Sequence, residues 1–198
     1  MRGVTVVKCD EEGLARVAAV LNGGGVAVIP TDTVYGLAAH PAFPEAVERL
    51  YDIKRREAAK PIALLASDAA AAESFVGGFP SEAKPLLGFW PGALTVVAKG
   101  EGLRVPDHDW TRRLIAACGG VLRVTSANMS GRRPATDAPA ALADVGLSAD
   151  IVADGGVSPG GVPSTVVRVG EDGKVEVLRE GAIRLGADLA GAPPSTRM

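Results

Sequence analysis

The feature that most constrains this chain is a short apolar strand running into small polar residues, VLRVTSANMSGRRPAT at positions 121–136. Val121, Leu122 and Val124 favour extended backbone, and Gly119–Gly120 mark the start of the run. Thr125, Ser126, Asn128 and Ser130 follow, closed by Gly131; Arg132, Arg133 and the Pro134 corner then add charge and a bend. A strand that stops in hydroxyls and an amide leaves donors and acceptors at a sheet end, where open α/β sheets bind ligands. This residue set suits an anion that also carries hydroxyl or amino groups. Ordinary solvated turns use the same residue types to cap backbone, so the stretch alone leaves both readings open.

A second stretch repeats the design. Val26–Ile29 reads as a buried strand and empties into Pro30-Thr31-Asp32-Thr33-Val34-Tyr35-Gly36. A plain loop in which Asp32 caps and Tyr35 packs is the alternative, but two strand ends of the same kind argue for a site. Pro44 opens a helix with Val47, Leu50, Tyr51 and Lys54 on one face and Lys54-Arg55-Arg56 at its end. A helix dipole favours a cation in its last turn by ~0.3–1 kcal/mol. Lys60-Pro61 follow and lead into a strand at Ile62–Ala66. Four cations within residues 54–60 exceed what a dipole needs.

The rest reads as alternating strands and helices. Val4–Val7 is a strand; Asp10 caps a helix carrying Leu14, Val17, Ala18 and Leu21 to the glycines at 23–25. Helices are expected at 68–76, 81–87, 110–118 and 138–145, and strands at 94–98, 151–153, 166–169 and 175–178, the last two joined by a hairpin turn at 171–174. Phe89 and Trp90 read as packing residues, and His108 as a cap or surface histidine. The glycine-rich loop at 154–161 lacks the G-K-[ST] ending of a Walker loop. With no repeat and no linker, residues 1–186 read as one domain, and 187–198 as a flexible tail.

Composition narrows the class. Hydrophobic residues at 47% and charged residues at 22% describe a soluble globular chain. A net charge of −2 argues against a surface built to grip long nucleic acid. The basic residues instead gather beside the polar loops, as in a binder of a small anion. No apolar run approaches the ~20 residues of a membrane helix, and the N-terminus lacks the apolar core of a signal peptide. Cys9 and Cys118 propose neither a disulfide framework nor a zinc site. A cytoplasmic location is expected.

The assembled pieces closely resemble the threonylcarbamoyladenylate synthase family, the YrdC-like proteins of tRNA modification. Seven ordered motifs carry the resemblance: IPTDTVYGL at Ile29–Leu37, K-x-R at Lys54–Arg56 with Lys60-Pro61, FWPGALTVV at Phe89–Val97, LRVPDH at Leu103–His108, TSANMSG at Thr125–Gly131, PSTVV at Pro163–Val167, and LREGAI at Leu178–Ile183. The resemblance implies an α/β fold, a twisted mixed sheet with flanking helices around a concave, positively charged cavity. It implies that L-threonine, bicarbonate and ATP condense to threonylcarbamoyl-AMP with release of pyrophosphate, a nucleotidyltransferase reaction. By position, Thr33, Arg104, Ser126 and Ser164 would hold threonine, and Lys54, Arg56, Lys60, Asn128, Thr136 and Arg179 the nucleotide. Lys54, Arg56, Ser126 and Asn128 would form the catalytic centre.

No protein nucleophile is required, because a carbamate oxygen of carboxylated threonine attacks the α-phosphate. Mg²⁺ would ride on the triphosphate, with no metal site of the protein's own. Implied partners are tRNA or the downstream threonylcarbamoyl-transferase complex, and no membrane. The chain resembles the short members that lack a C-terminal extension. It departs where the family's longer connection between Lys99 and Leu103 is reduced to Gly100-Glu101-Gly102, which bears on Arg104 and predicts a more open nucleotide site. Leu65 stands where some members have histidine, and Glu180 where proline is common. Two other readings are a non-catalytic RNA-binding module and a carbamoyl-adenylate-type carbamoyltransferase.

Overall fold

A computed structural model of the chain describes residues 4–57, 59–170, 172 and 174–186. The expected tail at 187–198 lies outside the described residues. Ten strands form one mixed sheet: β1 (Thr5–Lys8), β2 (Val26–Ile29), β3 (Gly36–Ala39), β4 (Leu64–Ala66), β5 (Leu94–Ala98), β6 (Glu101–Arg104), β7 (Val121–Ser126), β8 (Ile151–Asp154), β9 (Thr165–Val169) and β10 (Val175–Arg179). Their spatial order is β1-β8-β2-β3-β7-β4-β6-β5-β9-β10. Six helices flank it: α1 (Glu11–Asn22), α2 (Pro44–Lys54), α3 (Ala69–Val76), α4 (Lys84–Leu87), α5 (Asp109–Ala117) and α6 (Ala138–Asp144). This is the α/β fold the resemblance implied.

Local signals explain most of the helix boundaries. The Asp10 carboxylate accepts the Gly13 N–H at 2.8 Å and starts α1, and Asp68 and Asp137 cap α3 and α6 in the same way. His108 is the N-cap of α5, its Nδ1 accepting the Thr111 N–H at 3.3 Å. The sequence expectation that it caps is met. Burial holds His108 below the usual histidine range, opposed by Asp32, Asp109 and Asp107. Phe89 and Trp90 pack against the core under β5 and β9, and Trp90 Nε1 donates to Leu94 O at 2.7 Å.

Two strands depart from expectation. Gly36 read as the end of a loop and no strand was expected after it, yet Gly36–Ala39 is β3; small residues carry little strand signal, but all four are buried between β2 and β7. Gly100-Glu101-Gly102 read as a shortened connection, yet Glu101–Arg104 is β6, paired antiparallel with β5. Lys99 (φ 50) and Gly100 (φ 83) form its two-residue turn, with both φ values positive as a tight hairpin requires. The short connection is therefore a tight hairpin. The strand at 121 also runs further than its apolar residues suggested, through Ser126.

Both faces of the sheet carry helices, but unequally. Ala27 and Ile29 of β2 face α1 and α5, while Val26 and Val28 face α2 and α6. On β4, β6, β5 and β9 one face, bearing Leu64, Leu103, Val96 and Val167, is covered by α3 and α4. The opposite face, bearing Leu65, Arg104, Thr95, Val97 and Val166, borders a cavity instead. The site therefore lies across a sheet face and not only at strand ends, because among the described residues no helix covers this half of the face.

Gly13 fixes how α1 leaves β1. In an open helix, glycine to alanine gains roughly 1 kcal/mol. Here an added Cβ would fall 1.8 Å from Lys8 O, a backbone atom that cannot swing away. Overpacking of this kind costs about 1–3 kcal/mol, so Gly13→Ala is expected to lower the urea unfolding midpoint. An unchanged or raised midpoint would contradict this packing.

Candidate active site

The two polar loops meet because β3 and β7 are antiparallel neighbours and their register places Gly36 opposite Ser126. Residues 31–35 and 125–131 thus share one rim. Thr31 organises the first loop: its Oγ1 accepts the N–H of Thr33 (3.1 Å) and of Val34 (3.3 Å) and donates to Val34 O (2.7 Å). The Thr33 hydroxyl lies 3.0 Å from that of Thr31. Thr33 Oγ1 in turn accepts from Arg104 Nη1 at 3.0 Å.

Arg104 is the pivot of this half. It is 5% exposed; its Nε donates to Gly92 O at 2.8 Å and its Nη2 is paired with Asp32. Burial lowers its pKa, and the Asp32 charge opposes the shift. A guanidinium has five N–H donors. Three are engaged here, leaving one on each terminal nitrogen, a pair suited to a carboxylate. Ser164 completes the wall: its Oγ lies 2.8 Å from Thr95 Oγ1, and Arg179 Nη2 donates to Ser164 O at 2.7 Å.

These residues bound a cavity of about 440 Å³. Arg56, Arg104 and Arg179 are its charged walls, Thr31, Thr33, Thr95, Ser126 and Ser164 supply hydroxyls, and Leu65, Val97, Val124 and Val166 supply apolar surface. Among the described residues, no carboxylate lines it. Partial burial, then the like charges of Arg104 and Arg56, pull Arg179 below its usual pKa. Gly100 and Gly102 of the β5–β6 hairpin also face this cavity, leaving its floor without side chains there.

A second cleft of about 260 Å³ adjoins it, lined by Lys54, Arg55, Arg56, Lys60, Ser126, Asn128 and Ser130, with Glu57. Arg56 and Ser126 belong to both spaces. Lys54 is 1% exposed, and its Nζ donates to Ser126 O and Asn128 O. The Ser130 N–H returns to Lys54 O at 3.0 Å, so the end of α2 and the Ser-x-Asn turn are tied together. Burial, reinforced by Arg56 and opposed by Asp144, brings the Lys54 ammonium down to about 8. Asn128 Nδ2 donates to Met129 O (2.9 Å) and Arg132 O (2.8 Å), so its amide nitrogen holds the turn. Arg56 is held through Lys60 O (3.0 Å) and Pro61 O (3.3 Å).

Of the residues singled out in the sequence, Thr33, Arg104, Ser126, Ser164, Lys54, Arg56, Lys60, Asn128 and Arg179 line these two spaces. Thr136 lines neither; its carbonyl accepts the Ser158 N–H at 2.7 Å. Sequence reasoning missed three supports. Asp32 anchors Arg104 from 72 positions away. Asp144 accepts the Met129 N–H and Arg132 Nη1, each at 2.8 Å, beneath the Ser-x-Asn turn. The glycine-rich loop is a clamp: Gly160 and Gly161 N–H bind the carbonyls of Asp32 and Thr33, and Tyr35 Oη bridges Gly155 N and Gly156 O. A Cβ on Gly160 would meet Asp32 O at 2.7 Å; the glycines were a legible signal of close approach.

Fold and site together define an α/β protein with a hydroxyl- and arginine-lined cavity opening onto a cationic cleft. Residues 19–181 match the Sua5/YciO/YrdC family, described as "Telomere recombination"; the chain belongs to this family. A threonylcarbamoyl-AMP synthase of Bacillus subtilis is 36% identical over 88% of this chain and 55% of its own length. A putative threonylcarbamoyl-AMP synthase of Methanocaldococcus jannaschii is 32% identical over 83% of both chains. Pyrococcus abyssi Sua5 complexed with L-threonine superposes with a TM-score of 0.82 at 29% identity, over 90% of this chain and 57% of that one. The chain thus spans little more than half the length of the Bacillus and Pyrococcus relatives.

The buried Arg104–Asp32 pair sets a stability prediction. Removing one partner of such a pair leaves an uncompensated charge, at ~3–5 kcal/mol. Asp32→Ala is expected to lose that much in chemical denaturation, and the apolar double variant Asp32→Ala/Arg104→Met to recover much of it. Equal stability of wild type and Asp32→Ala would contradict the pairing.

Proposed function

We propose that the chain is a threonylcarbamoyl-AMP synthase, a nucleotidyltransferase that joins L-threonine, bicarbonate and ATP and releases pyrophosphate. The observation that carries this reading is the shared wall. Arg56 and Ser126 stand where a hydroxyl- and arginine-lined cavity, roomy enough for an amino acid, meets a cationic cleft. The names of the Bacillus and Methanocaldococcus relatives, and the threonine complex of the Pyrococcus protein, support it.

In this reading the threonine carboxylate takes the two remaining N–H groups of Arg104. Its hydroxyl bonds within the set of Thr33, Ser126 and Ser164, and its methyl rests on apolar wall. The triphosphate occupies the cleft among Lys54, Arg56 and Lys60, with Arg179 closing the inner side. Asn128 contributes through the turn it holds, and Thr136 is left out of the contact set. The threonine amine adds to CO₂ from bicarbonate, forming an N–C bond and losing a proton. A carbamate oxygen then attacks the α-phosphorus, and the bond to the pyrophosphate oxygen breaks. No side chain forms a covalent intermediate. The residues supply position and fixed positive charge where negative charge moves from α-phosphate to leaving group.

Apart from Glu57 of the cleft, which is paired with Lys60 at 3.0 Å, the side chains lining the two spaces offer hydroxyls, an amide and cations, a poor set for a hard divalent ion. Mg²⁺ would therefore be held by the triphosphate oxygens, where it neutralises leaving-group charge. The product, a mixed anhydride, would serve threonylcarbamoylation of tRNA in the cytoplasm, handed to a transferase that consumes it.

The test is product formation. Incubated with ATP, bicarbonate and threonine, the protein is expected to yield threonylcarbamoyl-AMP detectable by mass spectrometry. Valine should be rejected strongly, since it leaves buried hydroxyls unpaired; serine, lacking a methyl contact, should lose roughly 1–3 kcal/mol. Equal use of valine and threonine would sink this assignment of the cavity. Product made from carbamoyl phosphate instead would favour the carbamoyltransferase reading.

A further inference from the structure

Helix α2 ends on a residue in the left-handed conformation, and that residue is Arg55, with φ 49 and ψ 45. Helix α3 reaches the same conformation with Gly77, at φ 70 and ψ 41. Glycine is the usual solution because a Cβ is disfavoured there. The hydrogen bonds of the α2 end are backbone ones, Arg55 N to Asp52 O (3.1 Å) and Arg56 N to Tyr51 O (2.9 Å). They ask for the conformation and not for an arginine side chain. A strained residue at a candidate site points to a role for the side chain.

The surroundings supply that role. The left-handed turn sends three consecutive cations to three places. Lys54 goes inward to the carbonyls of Ser126 and Asn128, Arg56 to the wall shared by both spaces, and Arg55 to the outer cleft only. The other cations of the cleft are partly answered. Lys60 is paired with Glu57 at 3.0 Å, Lys54 is held by two carbonyls, and Arg56 binds Lys60 O and Pro61 O. Arg55 is exposed on the cleft wall, and among the described residues it has no carboxylate within ion-pair distance. Unlike Lys54 and Arg56, whose N–H groups are taken up by carbonyls, its guanidinium has no hydrogen-bond acceptor among the described residues.

We propose that Arg55 is a further polyphosphate-binding residue, contacting the outer phosphates of a nucleoside triphosphate in the cleft. This rests on the reading of the cleft as the nucleotide site. Because Arg55 lines the cleft and not the inner cavity, it acts on the β- and γ-phosphates and leaves the monophosphate end alone.

The experiment compares wild type, Arg55→Gly and Arg55→Lys by calorimetric titration with ATP, inorganic pyrophosphate and AMP, alongside urea denaturation. Arg55→Gly is expected to weaken ATP and pyrophosphate by roughly three- to tenfold, as for one exposed charge-assisted contact. AMP affinity should stay unchanged, and the unfolding midpoint should hold or rise as strain is relieved. Arg55→Lys should keep most of the affinity. Unchanged ATP and pyrophosphate binding in Arg55→Gly would overturn the proposal, as would an equal loss of AMP. A lowered unfolding midpoint would also overturn it, since the side chain would then be serving the fold. If wild type bound neither ATP nor pyrophosphate, the reading of the cleft itself would fail, an outcome distinct from the others.

Discussion

Keeping the charge of Arg104 buried is the constraint on which the site depends. A guanidinium this deep is tolerable only if its protons are answered. The answers come from two segments remote from β6, which carries the arginine: Gly92 after α4, and Thr33 and Asp32 of the loop before β3. Satisfying one side chain therefore fixes the relative positions of the first polar loop and the β5–β6 hairpin. The glycine-rich loop locks the arrangement from outside through the carbonyls of Asp32 and Thr33. Three of its five donors are engaged in this way, and Arg104 lines the cavity.

Lys54 plays the matching part for the second loop. Two carbonyl oxygens converge on one ammonium, and the Ser130 N–H returns to the same residue. Asp144 braces the turn from α6. The two charged anchors act on loops that the β3–β7 register has already brought together. Cavity and cleft then meet at Arg56 and Ser126 because the ends of α2 and β7 are tied to one another.

Much of this was legible in the chain. The Asp10 cap and the first-turn proline Pro44 marked the starts of α1 and α2, and the hydroxyl-rich strand ends at 31–36 and 125–131 marked the rim, because such signals are local and depend on few neighbours. The strands β3 and β6 were missed for a physical reason: Gly-Leu-Ala-Ala has no β-branched residue, and a Lys-Gly turn lacks the asparagine or aspartate that advertises a hairpin. The Asp32–Arg104 and Lys54–Ser126 contacts span more than seventy positions, and no spacing rule reaches that far. Sheet-end reasoning located the rim but not the cavity, whose floor depends on which half of a sheet face goes uncovered. Arg55 was visible only as one more cation until its backbone conformation was known.

In the proposed function, amino acid and triphosphate meet at the wall formed by Arg56 and Ser126. A crystal structure of the chain with threonine and a non-hydrolysable ATP analogue tests it most directly. The account predicts the threonine carboxylate on Arg104, the phosphate chain among Lys54, Arg56 and Lys60, and the α-phosphate beside Ser126 facing the threonine amine. Threonine away from Arg104, or a triphosphate seated outside the cleft, would contradict it.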